Sequence, residues 1–183
     1  MTAEPVFITL GSNIAPEANL PRAVRRLRER LTLRAASRVY RGAPLDAGGR
    51  VAAGQGYFLN AAVLVETDLP PAALKFDVLR AIEAEMGRVR GADRYAPRPI
   101  DLDIALYGDL VLNDPESRLT LPDPEIITRA HVALPLADLA PDFVHPVTGE
   151  TLAAIAARFR NQPDIALHAI DLALLAPVEE RAP

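Results

Sequence analysis

Two aspartates, Asp101 and Asp103, stand one residue apart in the apolar run Ile100-Asp101-Leu102-Asp103-Ile104. Side chains alternate along a strand, so Ile100, Leu102, Ile104 and Leu106 are expected on one face and both carboxylates on the other, with Cα atoms about 6.5–7 Å apart. Aspartate is disfavoured in strands, and two like charges on one face repel unless something neutralises them. A divalent cation does so, and oxygen donors suit magnesium. An isolated Asp-x-Asp is more often a solvated strand face. Here, however, Arg88, Arg90, Arg94 and Arg98 precede the pair within a loop of eleven residues. Guanidinium groups bind phosphate oxygens bidentately, and carboxylates hold the metals that bridge those oxygens. A set of surface salt bridges, each worth little, is the plainer alternative. The ordered block from Arg88 to Asp103 favours a magnesium–nucleotide site.

Other phosphate machinery is absent. No G-x-x-x-x-G-K-[ST] occurs, and Lys75 falls in the middle of an expected helix, far from any such loop. The protein-kinase H-R-D and D-F-G motifs and the G-x-S-x-G of hydrolases are also missing. The chain has no cysteine, which excludes thiolate catalysis and thiolate metal sites. Of its 20 basic residues only Lys75 is lysine, so an anion site must rely on arginine. A formal net charge of -4 and an aromatic content of 5% argue against nucleic acid, which needs a basic footprint or exposed aromatic platforms. No apolar run reaches the roughly 20 residues of a membrane span, and Met1–Pro5 lacks the features of a signal peptide. A cytoplasmic protein without membrane or nucleic-acid partners is expected.

The elements that would hold these residues are legible in outline. The 183 residues suit one domain, expected over residues 1–175 with a loose tail at 176–183. Val6–Leu10 reads as a buried strand closed by Gly11-Ser12-Asn13. Leu20, Val24, Leu27 and Leu31 predict a helix from about Leu20 to Leu31. Leu33–Arg41 and Tyr57–Glu66 read as strands, separated by a glycine-rich loop, Ala43–Gly56, expected to be mobile. Pro70-Pro71 opens a helix that runs to Gly87. Pro99–Tyr107 is the acidic strand, and Arg118–Leu121 an edge strand. Pro124–Leu136 and Thr151–Arg160 read as helices, the second capped by Thr151. Ile165–Leu175 fits a strand or a helix. The alternation implies an α+β sheet with helices on one or both faces.

The run Gly87-Arg88-Val89-Arg90, Arg94, Pro97-Arg98 and Ile100 to Gly108 resembles the signature of the 6-hydroxymethyl-7,8-dihydropterin pyrophosphokinases of folate biosynthesis. Leu10-Gly11-Ser12-Asn13, Tyr40-Arg41, Pro44-Leu45, Phe58 to Ala62, Ile82-Glu83, Leu119 to Pro122 and Arg129 extend the resemblance over roughly Val6 to Leu152. The resemblance implies a ferredoxin-like α+β sandwich and transfer of a pyrophosphoryl group from ATP to a reduced pterin. It implies two magnesium ions on Asp101 and Asp103, and Arg88, Arg90 and Arg98 as catalytic arginines. Glu83, Ile104, Arg118, Thr120 and Arg129 would bind the nucleotide, and Leu45, Phe58, Asn60, Tyr95 and His131 the pterin. An amide such as that of Asn60 offers a pterin edge both a donor and an acceptor. A monomer is expected. The chain departs from the family pattern at Tyr95, Asp123 and His131. Asp123 is expected to weaken ATP binding unless an arginine pairs with it, and His131 to stack on the pterin in place of phenylalanine. A divergent paralogue acting on another pterin, and a non-catalytic pterin or nucleotide binder, are the alternatives.

Overall fold

A computed structural model describes residues 4–44, 56–89 and 96–175. Leu45, Arg90, Arg94, Tyr95, most of the glycine-rich loop and the 176–183 tail therefore lie outside the described residues.

Alternating apolar residues build the centre of a six-stranded antiparallel sheet. Strand β1 (Glu4–Ser12) lies between β4 (Phe58–Thr67) and β5 (Asp101–Tyr107). Beyond β4 come β2 (Thr32–Ala36) and β3 (Val39–Gly42), and β8 (Ile165–His168) closes that side. The order β5-β1-β4-β3-β8, with helical connections after β1 and β4, is the ferredoxin-like arrangement. Ser37 splits the long strand expected over Leu33–Arg41: its hydroxyl accepts the Ala62 N–H and donates to the Arg38 carbonyl, so β2 ends and β3 begins around it.

Both faces of the sheet are covered. Val6, Ile8 and Leu10 of β1 point into one core with Leu20, Val24 and Leu27 of α1 (Pro16–Arg28). Proline at the first position starts α1 a turn earlier than apolar spacing alone suggested. The same core takes in the helical run after β4: α2 (Pro71–Ala73), a π-turn segment (Leu74–Leu79) and α3 (Arg80–Glu85). In the π segment the Arg80 N–H reaches back five residues to the Lys75 carbonyl, and Leu74 and Leu79 are both buried. Phe7, Ala62 and Leu106 face the other core, against α4 (Ala130–Leu139) and α5 (Leu152–Ala157).

Three further expectations are corrected. Leu106 does not share a face with Ile104: Ala105 bulges out of register with β1, and Ala105 and Leu106 both turn to the α4 side. Pro124–Leu136 is not one helix, because Thr128 leaves helical geometry and Arg129 is extended; a single 3₁₀ turn (Pro124–Ile127) precedes α4. Leu119–Leu121 is a strand, β7, but it pairs with β6 (Leu112–Asp114) in a separate hairpin. Thr151 caps α5 as expected, accepting the Ala154 N–H. Ile165–Leu175 holds both β8 and a closing 3₁₀ turn. Among the described residues no helix is long and apolar enough to cross a membrane.

Candidate active site

Strand β5 is an edge, and an edge exposes unpaired N–H and C=O groups. Here the helical run on the far side of the sheet supplies the partners. The Leu102 N–H donates to the Glu83 carboxylate at 2.9 Å. The Leu102 carbonyl accepts from Lys75 Nζ at 3.0 Å, and the Ile100 carbonyl from Arg88 at 3.2 Å. Three side chains of one helix and its end thus clamp the strand that carries the two aspartates.

The same side chains hold the carboxylates. Asp101 is bonded by Arg88 and by Arg98, and Asp103 by Lys75. The like-charge repulsion expected of the pair is therefore already answered by three cations of the chain itself. Burial disfavours ionised Asp101, but the bond and charge of Arg88, joined by Arg98, outweigh it and bring its carboxyl down to about 2. The pattern splits the pair, because desolvation and the neighbouring charge of Asp101 push Asp103 up while Lys75 pulls against them. Asp103 is also the more open of the two, with 47% of its side chain exposed against 25% for Asp101.

The close of the arginine loop at Ala96–Pro99 is pinned by the turn after β1. Asn13 Oδ1 accepts the Arg98 N–H at 2.7 Å, and the Asn13 N–H donates to the Arg98 carbonyl at 3.2 Å. The buried Ser12 hydroxyl donates to the Pro99 carbonyl at 2.6 Å. These two residues fix the backbone from which Arg98 reaches Asp101. The Arg98 guanidinium also lies 5.9 Å from the ring centre of Phe58, within cation–π range.

Phe58 and Asn60 sit on the sheet face away from the Leu59–Ala61 core, the face shared by Gly11 and the two aspartates. Asn60 is buried, and its amide lies across β1 where Gly11 has no side chain: a Cβ there would stand 3.3 Å from Asn60 Oδ1. Phe58 and Asn60 of β4 and the carboxylates of β5 thus share one face on either side of β1, and Arg98 reaches from Asp101 to the Phe58 ring.

The remaining expected residues divide. Glu83 is buried, and its carboxylate is committed to Leu102 and Arg88. The Ile104 side chain is in the core, so only its backbone is offered to a ligand. Thr120 is exposed on β7, and Arg118 is exposed at the hairpin tip with a left-handed φ of 56°. Arg129 is half-buried at the start of α4. His131 faces Glu125 across 3.7 Å. Asp123 caps the 3₁₀ turn by accepting the Glu125 N–H, and its own N–H donates to the carbonyl of the bulged Ala105. Burial, with the charges of Glu125 and Asp103, raises its carboxyl to about 6 against the Glu125 N–H bond and the charge of Lys75.

The donor set suits a hard divalent ion. Two carboxylates present oxygens on one face, one of them half open to solvent. Among the described residues no group of three or more His, Asp or Glu side chains gathers as a self-sufficient metal site. That combination matches magnesium delivered with phosphate oxygens and water, because magnesium keeps much of its shell and takes only one or two carboxylates from a protein.

Lys75, which bonds Asp103, is not among the residues the sequence singles out for the site. Its signal was present as the single lysine of an arginine-rich chain, but its partner lies across the edge of the sheet and no local spacing joins the two.

A sequence profile of the family described as 7,8-dihydro-6-hydroxymethylpterin-pyrophosphokinase matches residues 7–141. The chain is 42% identical over 144 residues to the 2-amino-4-hydroxy-6-hydroxymethyldihydropteridine pyrophosphokinase of Pseudomonas aeruginosa, covering 77% of this chain and 83% of that protein. It is 40% identical over 149 residues to the protein of the same name from Methylorubrum extorquens, covering 80% and 87%. A match at 36% identity to the folic acid synthesis protein fol1 of Pneumocystis carinii covers 82% of this chain but spans only 20% of that longer protein. Among solved structures, wild-type HPPK-DHPS of Plasmodium falciparum superposes with a TM-score of 0.62 at 16% identity, over 86% of this chain and 45% of that one. That likeness supports the fold.

Proposed function

The chain belongs to the 7,8-dihydro-6-hydroxymethylpterin-pyrophosphokinase family, and from that premise we propose that it transfers the pyrophosphoryl group of ATP to the hydroxymethyl oxygen of 6-hydroxymethyl-7,8-dihydropterin. The hydroxymethyl oxygen loses its proton to solvent as it bonds the β-phosphorus, the bond from the β-phosphorus to the α–β bridging oxygen breaks, and AMP leaves with that oxygen. The observation that carries this reading is the pair Asp101 and Asp103 on one face of β5, ringed by Arg88, Arg98 and Lys75 and next to Asn60 and Phe58.

Asp101 and Asp103 would hold two magnesium ions, which supply Lewis-acid neutralisation of the transferring phosphates. The other steps fall to the chain. Arg88 and Arg98 fix the Asp101 carboxylate, and Arg98 joins the phosphate end of the site to the Phe58 ring. Asn60 gives a pterin edge one donor and one acceptor, and Phe58 a face to stack on. Arg118, Thr120 and Arg129 approach the nucleotide from β7 and the start of α4, and Ile104 offers backbone rather than side chain. Arg90 would add charge on the phosphates, and Leu45, Tyr95 and His131 would close the acceptor pocket. Glu83 acts from behind, holding Arg88 and Leu102. The protein would work as a cytoplasmic monomer, with residues 1–175 as its one catalytic domain.

The test is product analysis with ATP, magnesium and a panel of reduced pterins. AMP and the diphosphate of 6-hydroxymethyl-7,8-dihydropterin are expected. ADP in place of AMP, or no turnover of any reduced pterin, would overturn the proposal. Turnover confined to a different pterin would move the acceptor and implicate His131 and Asp123.

A further inference from the structure

Lys75 has no task in the reaction as proposed, yet it occupies one of that reaction's central groups. Its Nζ bonds Asp103 Oδ1 and stands 3.0 Å from the Leu102 carbonyl. The ammonium comes from the π segment between the buried Leu74 and Leu79, passes round the free edge of β5, and arrives with only 12% of its side chain exposed. Asp103, by contrast, keeps 47% of its side chain open. The cation is therefore built in behind the carboxylate, and the carboxylate faces outward.

This arrangement has a consequence for metal binding. An oxygen lone pair given to an ammonium is not free for a metal ion, and a divalent cation placed on Asp103 would stand close to a fixed positive charge. At such separations the repulsion is substantial in a half-buried site. A polyphosphate removes the penalty, because its negative charge offsets both cations. Lys75 also has a second anchor in the Leu102 carbonyl, so it can leave Asp103 without leaving the strand edge.

We infer that Lys75 is a resident counter-cation of Asp103 that suppresses binding of bare magnesium and makes metal loading conditional on the nucleotide. This rests on the assignment of Asp101 and Asp103 as metal ligands. In the ligand-free protein the ammonium stays on Asp103. When the metal–nucleotide complex arrives, the ammonium withdraws to Leu102 and turns a free N–H toward the phosphates. Lys75 is thus a positioning residue: it touches the carboxylate, and through it sets the order in which ligands are accepted.

Because Lys75 is the single lysine of the chain, its side chain can be watched directly. In protein labelled with ¹³C-lysine, the one Cε resonance should stay in place on addition of magnesium alone and shift on addition of magnesium with a non-hydrolysable ATP analogue. In parallel, Mn²⁺ binding followed by electron paramagnetic resonance should be weak in the wild type without nucleotide. Lys75→Met keeps the stem and removes the charge; it should bind bare Mn²⁺ at least about ten-fold tighter and show a correspondingly smaller enhancement by the analogue, since the coupling is reciprocal. Lys75→Arg, which retains the charge, should bind bare Mn²⁺ as weakly as the wild type. Unchanged bare-metal affinity in Lys75→Met, or a Cε signal that shifts fully with magnesium alone, would overturn the inference. So would a Lys75→Met variant in which only the metal–analogue complex weakens, since the ammonium would then be a plain phosphate ligand. Asp101→Asn and Asp103→Asn, titrated with Mn²⁺ in the presence of the analogue, keep the two readings apart: if they bind the metal like the wild type, the metal assignment itself fails, whereas if they abolish binding and Lys75→Met leaves bare-metal affinity unchanged, only the role of Lys75 does.

Discussion

The Glu83 carboxylate accepts the Leu102 N–H at 2.9 Å, tying the far-side helix to the free edge of the strand that carries both aspartates. Glu83 is 1% exposed and also pairs with Arg88. Its removal would strand a buried N–H and deprive a half-buried guanidinium of one of its two carboxylates. Glu83→Ala should therefore cost about 2–4 kcal/mol of stability in urea denaturation, and Glu83→Gln, which keeps an acceptor for the N–H, distinctly less. Unchanged stability in Glu83→Ala, with a raised KM for ATP, would return this residue to a direct nucleoside contact.

Asp101→Asn and Asp103→Asn should each lower kcat by at least about a hundredfold, as charge stabilisation of the transferring phosphates is worth several kcal/mol. Their effects on the fold should differ from simple relief of repulsion. The carboxyl of Asp101 is at about 2, below its ordinary value of 3.8. A depressed acid contributes stability that is present above the unfolded value and lost as pH falls through the folded one. Asp101→Asn should thus cost up to about 2 kcal/mol near neutral pH, a deficit that closes between roughly pH 4 and pH 2. Full activity in both variants would sink the two-metal reading, and an Asp101→Asn more stable than the wild type at pH 7 would contradict the ion-pair account.

Asp123 should behave in the opposite sense. Its carboxyl is raised to about 6 from 3.8, chiefly by burial. A raised acid favours the fold below its unfolded value, and that advantage is lost as pH rises through the folded one. Above about pH 6 the folded protein therefore carries an ionised, poorly compensated carboxylate. Asp123→Asn keeps the side-chain oxygen that caps the 3₁₀ turn. It should stabilise the ligand-free protein by up to about 3 kcal/mol at pH 8, with the gain shrinking as pH falls toward 4. Equal gains at pH 8 and pH 4.5 in thermal unfolding would show that charge burial is not the cause.

These contacts mark where the sequence stopped being readable. Alternation put Ile100, Leu102 and Ile104 in the core and Asp101 and Asp103 opposite, and the strand obeys it until Ala105. The bulge there left no trace in a run of apolar residues, because Ala105, Leu106 and Tyr107 suit either face. The cations that neutralise the aspartates were half visible. Arg88 and Arg98 lie close in sequence to Asp101, but Lys75 is 28 positions from Asp103 and on a helix whose π turn no periodicity announces. Ser12 and Asn13 were legible as part of a family motif. Their work, holding the Arg98–Pro99 backbone from 85 and 87 positions away, depends on β1 and β5 being neighbours and so follows only from the fold.

The closest test of the acceptor side of the site is a single methyl group. A Cβ on Gly11 would lie 3.3 Å from Asn60 Oδ1 and 3.9 Å from Phe58 Cδ1. Gly11 sits in regular strand pairing opposite Asn60, so alanine is compatible with the backbone and the effect falls on the neighbouring amide. That amide must give by a few tenths of an ångström, which spoils a paired donor and acceptor more than it spoils packing. Gly11→Ala should raise KM for the pterin by about ten-fold, equivalent to about 1.4 kcal/mol, while leaving KM for ATP within about two-fold of wild type. Gly42 makes the control. Its added Cβ would meet Asn60 Nδ2 at 3.7 Å, an ordinary van der Waals distance, so Gly42→Ala should leave both constants near wild type. A Gly11→Ala variant that raises KM for ATP as much as for the pterin would show that the methyl group disturbs the whole strand. One that changes neither would remove Asn60 from the pterin pocket.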